Sequence, residues 1–145
     1  MWSFLRSLNN PKYTEDMMLQ EVFDKIKFEN SGVSATEPYF IGHRIQFDLK
    51  FLWRRSKVLG LDVGFKLPFR GRHRTDFFDN MAEWCDYNEM IAQDKLSKIL
   101  GLPGKPDDIN GANVWDHVKR GEEARVAEYN VSDVQTVIDI YERLG

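Results

Sequence analysis

Leu100-Gly101-Leu102-Pro103-Gly104-Lys105 leads through Asn110-Gly111-Ala112-Asn113-Val114-Trp115 to Tyr129-Asn130-Val131-Ser132-Asp133-Val134, and this stretch decides the architecture. Gly101 and Pro103-Gly104 stop a helix that starts near Asp94 and carries Ser97, Ile99 and Leu100. A loop then runs to Gly111. Helices are expected over about 112–120 and 122–144, the second with a bend around 130–132, where Ser132 is placed to cap a renewed helix.

Toward the amino terminus the same reading alternates helix and strand. Thr14 caps a helix with Glu15 and Asp16 in its first turn and apolar residues at Met18, Leu19, Val22, Phe23 and Ile26, a 3.6-residue period. Glu29-Asn30-Ser31-Gly32 ends it, and Pro38-Tyr39-Phe40-Ile41-Gly42 reads as a short buried strand. From about Phe47 the pattern Phe47, Phe51, Leu52, Arg55, Val58 and Leu59 gives a second helix with an apolar stripe, with Gly60 as its stop and Asp48 in its first turn. Pro68 and two glycines among basic residues make 64–74 a loop, a candidate for a binding surface. Phe77-Phe78 forms a second short strand ending at Asp79, and Asn80 to Tyr87 begins a helix. There is neither an internal repeat nor a low-complexity tract.

Composition sets the outer bounds. A chain of 145 residues forms one compact domain that buries roughly 68–70% of the surface its unfolded form exposes. A hydrophobic content of 42% with 13% aromatic residues gives enough apolar surface to oppose chain entropy, which excludes a disordered chain. No apolar run approaches the ~18 residues of a membrane span, and Met1-Trp2-Ser3-Phe4-Leu5-Arg6 lacks the basic leader of a secretory signal. A cytoplasmic, non-membrane protein is expected. Cys85 stands alone, so the chain forms no internal disulfide and no cysteine-based zinc site. Between Ile41 and Thr75 stand nine Lys or Arg against two acids, a local charge of +7 that leaves −10 for the rest of a chain whose net charge is −3. Such a basic segment beside acidic ones suits an anionic polymer gripped near a carboxylate site, and equally a solvated helix face plus a basic loop.

Gly42-His43-Arg44-Ile45-Gln46-Phe47-Asp48, taken with the carboxy-terminal stretch, resembles the 3'-5' exonuclease domain of the DNA polymerase B-like kind, within the RNase H-like superfamily. The Tyr129 to Asp133 element resembles its DEDDy subclass. The resemblance covers about 39–144. It implies an α/β fold, a truncated RNase H-like exonuclease domain that is helix-rich with a small residual sheet. An N-terminal helical segment over 1–37 would precede the exonuclease part over 38–145.

The resemblance also assigns roles. Asp48 and Asp133 would be ligands to a pair of divalent cations, Mg2+ or Mn2+, which take oxygen donors and, about 3.5–4 Å apart, serve phosphodiester hydrolysis. Tyr129 would orient the attacking water through its hydroxyl. Catalysis would thus rest on Tyr129, Asp133 and Asp48, and substrate contact on Lys105, Arg44 and His43. The family shows His-Asn where this chain has His43-Arg44, so a cation stands beside the expected metal site. Taken singly, each residue has an ordinary explanation. Asp48 and Asp133 near helix starts favour the helix dipole by ~0.3–1 kcal/mol, Tyr129 is a half-buried packing residue, and Trp53, Trp84 and Trp115 read as core. His43, His73 and His117 show no metal-ligand spacing.

Such enzymes begin with a strand carrying Asp-x-Glu, and nothing between Met1 and Phe40 supplies it. Weak metal binding is therefore expected, together with an open strand edge that recruits a second copy or a separate chain to complete the sheet. Three functions follow: a metal-dependent 3'-5' exonuclease domain (partial) acting on DNA, an inactive remnant that binds single-stranded DNA, and a protein-interaction subunit of a split nuclease.

Overall fold

The computed structural model describes residues 13–31, 37–103 and 108–145. Its elements run α1 (Glu15–Asn30), β1 (Phe40–Gly42), α2 (Ile45–Leu59), β2 (Phe77–Asp79), α3 (Asn80–Trp84), α4 (Gln93–Ile99), α5 (Val114–Lys119) and α6 (Glu123–Leu144). Among the described residues the chain is helix-rich with a two-stranded parallel sheet, in line with the fold that the resemblance implied. The described residues form two compact units, 13–79 and 80–145, so the division falls after Asp79.

The first unit is built around aromatic rings. Parallel strands need a crossover, and α2 together with the loop after it supplies one between β1 and β2. Phe40 pairs with Phe77, Ile41 with Phe78 and Gly42 with Asp79. Leu19 and Phe23 of α1, Leu49 of α2, Leu67, Phe77 and Phe78 are buried, and the Phe65 ring lies 6.0 Å from Phe23 and 6.2 Å from Phe40. Glu15 and Asp16 in the first turn of α1 and Lys27 in its last complement the helix dipole. Gly60, in the left-handed region at φ 67°, ends α2 and donates its N–H to the Ser56 carbonyl, the conformation that glycine adopts without a Cβ clash.

In the second unit α3, α4 and α5 each pack against α6. The buried apolar residues are Leu96, Ile109, Val126 and Ile140. Asn80, at the start of α3, is also fully buried, and its Nδ2 donates to the Val137 carbonyl at 2.9 Å.

Three sequence expectations need correction. The Phe47, Phe51 and Val58 row of α2 faces outward, 64%, 54% and 70% exposed, and Leu49 and Ser56 turn to the core instead. The residues chosen as one apolar stripe also fit the solvent side, because α2 is apolar on more than one face. Trp53, Trp84 and Trp115 are not core residues, since all three remain exposed. Trp53 lies beside Phe69, with ring centroids 5.1 Å apart, and Lys119 approaches Trp115. Finally, α6 runs without interruption through 130–132. Ser132 caps nothing there; its carbonyl accepts the Thr136 hydroxyl at 2.9 Å.

Candidate functional site

The connection from β1 to α2 is only His43 and Arg44, so it must turn sharply. Gly42 makes this feasible: a Cβ there would lie 2.8 Å from the Ile45 Cβ and 2.6 Å from its Cδ1. Arg44 adopts φ 62° and ψ 40°, the left-handed region, which costs an ordinary L-residue roughly 1–2 kcal/mol and which Asn visits more readily. The Arg44 guanidinium lies 5.8 Å from the centre of the Phe47 ring, an exposed cation–π contact worth about 0.5–1 kcal/mol. The backbone relief slightly exceeds that contact, so Arg44→Asn is expected to raise stability by about 0.5 kcal/mol. An increase in the urea midpoint with an unchanged slope checks this, and a decrease contradicts it.

Asp48 lies in the first turn of α2 and is open to solvent. Local desolvation, then repulsion from the Asp79 carboxylate, holds its carboxyl above the usual aspartate value. Asp79 itself is 3% exposed. Its oxygens accept the backbone N–H groups of Arg44 at 2.8 Å and Ile45 at 3.1 Å. Its own N–H donates to the Nδ1 of His73 at 3.1 Å, which places the ring proton on Nε2.

In the other unit, Tyr129 and Asp133 stand one turn apart on α6. Their spacing continues the alternation of three and four residues set by Val126, Thr136 and Ile140, the buried positions of this helix. A tyrosine and an aspartate thus occupy the inward stripe of an amphipathic helix, where apolar residues are the rule. Both are half-buried. Gln93, at the start of α4, donates from Nε2 to the Asp133 carbonyl at 2.9 Å and reaches its Oδ1 at 3.5 Å. Asp133 does not sit at a helix start, because α6 is continuous, so a dipole role is excluded for it. One turn before Tyr129, Arg125 grips Asp108 through two bonds, Nε to Oδ2 at 3.0 Å and Nη2 to Oδ1, which holds the Asp108 carboxyl below its ordinary value. This fork–fork pairing fixes the segment after the glycine-rich run. Lys105 lies outside the described residues.

A further cluster joins α5 to α6. The Nδ1 of buried His117 and the Oε2 of Glu122 are 2.5 Å apart, and Arg120 donates to both Glu122 oxygens. Arg120 first and His117 second bring the Glu122 carboxyl down to about 2.

Of the expected site residues, Asp48, Arg44 and His43 belong to the first unit, Tyr129 and Asp133 to the second. Sequence reasoning missed Asp79, Gln93 and Arg125. A signal existed for Asp79: an acid that ends an apolar strand is buried, and a buried carboxylate needs donors. Oxygen donors fit Mg2+ or Mn2+ in kind. In number they fall short, since among the described residues no three His, Cys, Asp or Glu side chains gather to hold a metal.

A parallel strand pair with its helical crossover, in an otherwise helical set of described residues, is compatible with a truncated exonuclease-like α/β domain. A family model described as a predicted 3'-5' exonuclease related to the exonuclease domain of PolB matches residues 3–144. The chain belongs to that family. No curated protein and no solved structure matches it significantly. No helix among the described residues is long and apolar enough to cross a membrane.

Proposed function

We propose that this chain is part of a metal-dependent 3'-5' exonuclease domain of the DEDDy kind that acts on single-stranded DNA in the cytoplasm. The family match over 3–144 carries this reading. The inward placement of Tyr129 and Asp133 on α6 supports it.

Asp48 and Asp133 would hold the cation. When bound, Mg2+ or Mn2+ supplies an activated water and charge stabilisation at the phosphoryl group. Tyr129, half-buried on the same face as Asp133, orients water through a hydroxyl that both donates and accepts. Lys105, Arg44 and His43 grip the substrate phosphates, and the surplus of cations over 41–75 draws the strand in. In the described residues the sheet consists of β1 and β2 alone. An unpaired strand edge is where a second copy or another chain would extend it.

One observation favours a second reading, an inactive remnant that binds nucleic acid: no set of three metal-ligating side chains occurs among the described residues. End-labelled single-stranded DNA with Mn2+ separates the two. The exonuclease reading expects mononucleotides from the 3' end, with Asp48→Asn and Asp133→Asn each lowering the rate at least about 100-fold, ~2.7 kcal/mol of barrier. Salt-sensitive binding without release selects the remnant instead. Association with a protein at high salt, with no DNA binding at low salt, points to a subunit of a split nuclease.

A further inference from the structure

We propose that the cleft between α2 and the loop that follows it is a base-stacking site for single-stranded nucleic acid, in which Trp53 and Phe69 take a base while Lys57 and Arg70 hold the phosphates beside it. This inference rests on the nucleic-acid reading above and gives it a place of contact. It needs no cation.

The sequence after α2 builds the cleft. Gly60 ends the helix, and the loop then returns to it. About 340 Å3 is enclosed between Trp53 and Lys57 on one side and Leu61, Lys66, Leu67 and Phe69 on the other, within the ~300–1,000 Å3 of small-ligand clefts. Trp53 is 37% exposed, and the Phe69 ring stands 5.1 Å from it at an angle of 44°. The loop that carries Phe69 is fixed. Leu67 and Pro68 are buried, the Phe69 N–H donates to the Leu67 carbonyl at 2.9 Å, and the Phe69 carbonyl accepts Nε2 of Gln46 at 3.4 Å. A ring already held in place loses little freedom on binding.

Charge selects the occupant. Trp53 and Lys57 are four residues apart on α2, neighbours on one face, and the Arg70 guanidinium lies 5.4 Å from the centre of the Phe69 ring. Among the described residues neither Lys57 nor Arg70 has a carboxylate partner, whereas Lys66 approaches Asp76 at 3.8 Å. Asp62, which also lines the cleft, accepts the Gly64 N–H at 3.0 Å. An apolar peptide would leave those two cations unused. A single strand satisfies ring and cation together, since every base has a face to stack and every residue a phosphate.

The test measures the fluorescence anisotropy of a labelled oligothymidylate against the full chain in EDTA, beside a strand of the same length made of abasic residues. Trp53→Leu keeps an apolar side chain and removes the stacking face. It is expected to weaken oligothymidylate binding about 5- to 150-fold, the worth of one stacked base, and to leave the abasic strand unchanged, while circular dichroism shows the helices retained. Lys57→Gln is expected to weaken both strands alike and to reduce the slope of log K against log salt by about 0.7. A folded Trp53→Leu chain that binds both strands like wild type, or loses both equally, overturns the inference and leaves the nucleic-acid reading standing; so does an unchanged salt slope in Lys57→Gln. Wild-type protein that binds neither strand strikes that reading, and the inference falls with it. Photocrosslinking of the unaltered chain to a strand containing 5-iodouracil decides the matter if Trp53→Leu does not fold. Adducts at Trp53 or Phe69 are then expected, and adducts confined to other residues overturn the site.

Discussion

A chain carrying Phe77→Ala is expected to lose about 3–5 kcal/mol of stability, and with it the ordered start of α2. Phe77 is 2% exposed and stands opposite Phe40 in a sheet of only three residue pairs. A two-stranded sheet of that size has no independent stability, so its strands are kept in place by what they pack against. Phe77 also fixes the approach to β2: its carbonyl accepts the Arg74 N–H at 2.7 Å, and a bridge joins it to His73. Two residues later in the same strand comes Asp79, which holds α2 by its first amides. The loss of one ring therefore reaches the Asp48 half-site through β2, without a contact to Asp48. Since a domain of this size has ~5–15 kcal/mol in all, the variant should melt far below wild type. Urea denaturation followed by circular dichroism measures it. A change under about 1 kcal/mol would mean that the sheet does not depend on this ring.

The strands were legible because each is a short apolar run between breakers: Pro38 before β1, and the basic, glycine-containing loop before β2. The bounds of α1 and α2 were legible for a similar reason, with Thr14 before one and Gly60 after the other. The direction in which α2 faces was not. Phe47, Phe51 and Val58 form as good a row as the residues that actually turn inward, and periodicity alone does not tell two apolar faces apart. The bend expected in α6 failed for a different reason. Asn130 and Ser132 have weak helix preference, but Val126, Thr136 and Ile140 bury one continuous face, and packing overrides that preference.

Of the candidate site, local features were readable and distant partnerships were not. Asp48 in the first turn of α2 follows from the helix pattern, and the Tyr129–Asp133 pair was implied by the family resemblance. The contacts of Asp79 to Arg44, Gln93 to Asp133 and Arg125 to Asp108 join residues 35, 40 and 17 positions apart. No window of sequence contains both members of the first two pairs, and nothing local marks Gln93 as different from a surface glutamine. Arg44 is the instructive intermediate case. The resemblance sets an Asn where this chain has Arg44, but the physical circumstance, a left-handed backbone at φ 62°, appears only once the turn is seen.

The second large effect is expected at Ile140. This residue is fully buried on α6, the helix against which α3, α4 and α5 all pack. Ile140→Ala removes apolar contact and leaves a cavity that helices of five to seven residues cannot close by themselves, so about 2–5 kcal/mol is lost. Such short helices are unstable in isolation and depend on the α6 face for their existence. The consequence extends to the site, because α4 begins with Gln93, whose amide holds the Asp133 carbonyl at 2.9 Å. Loosening α4 from α6 frees that amide before α6 itself unwinds. Val134→Ala on the opposite side of α6 is the matched control: Val134 is 49% exposed, and its truncation should fall within about 0.5 kcal/mol of zero. Chemical denaturation of both variants is the measurement. Equal losses from the two would show that α6 does not present its Ile140 face to the core, and the inward placement of Tyr129 and Asp133 would be lost with it.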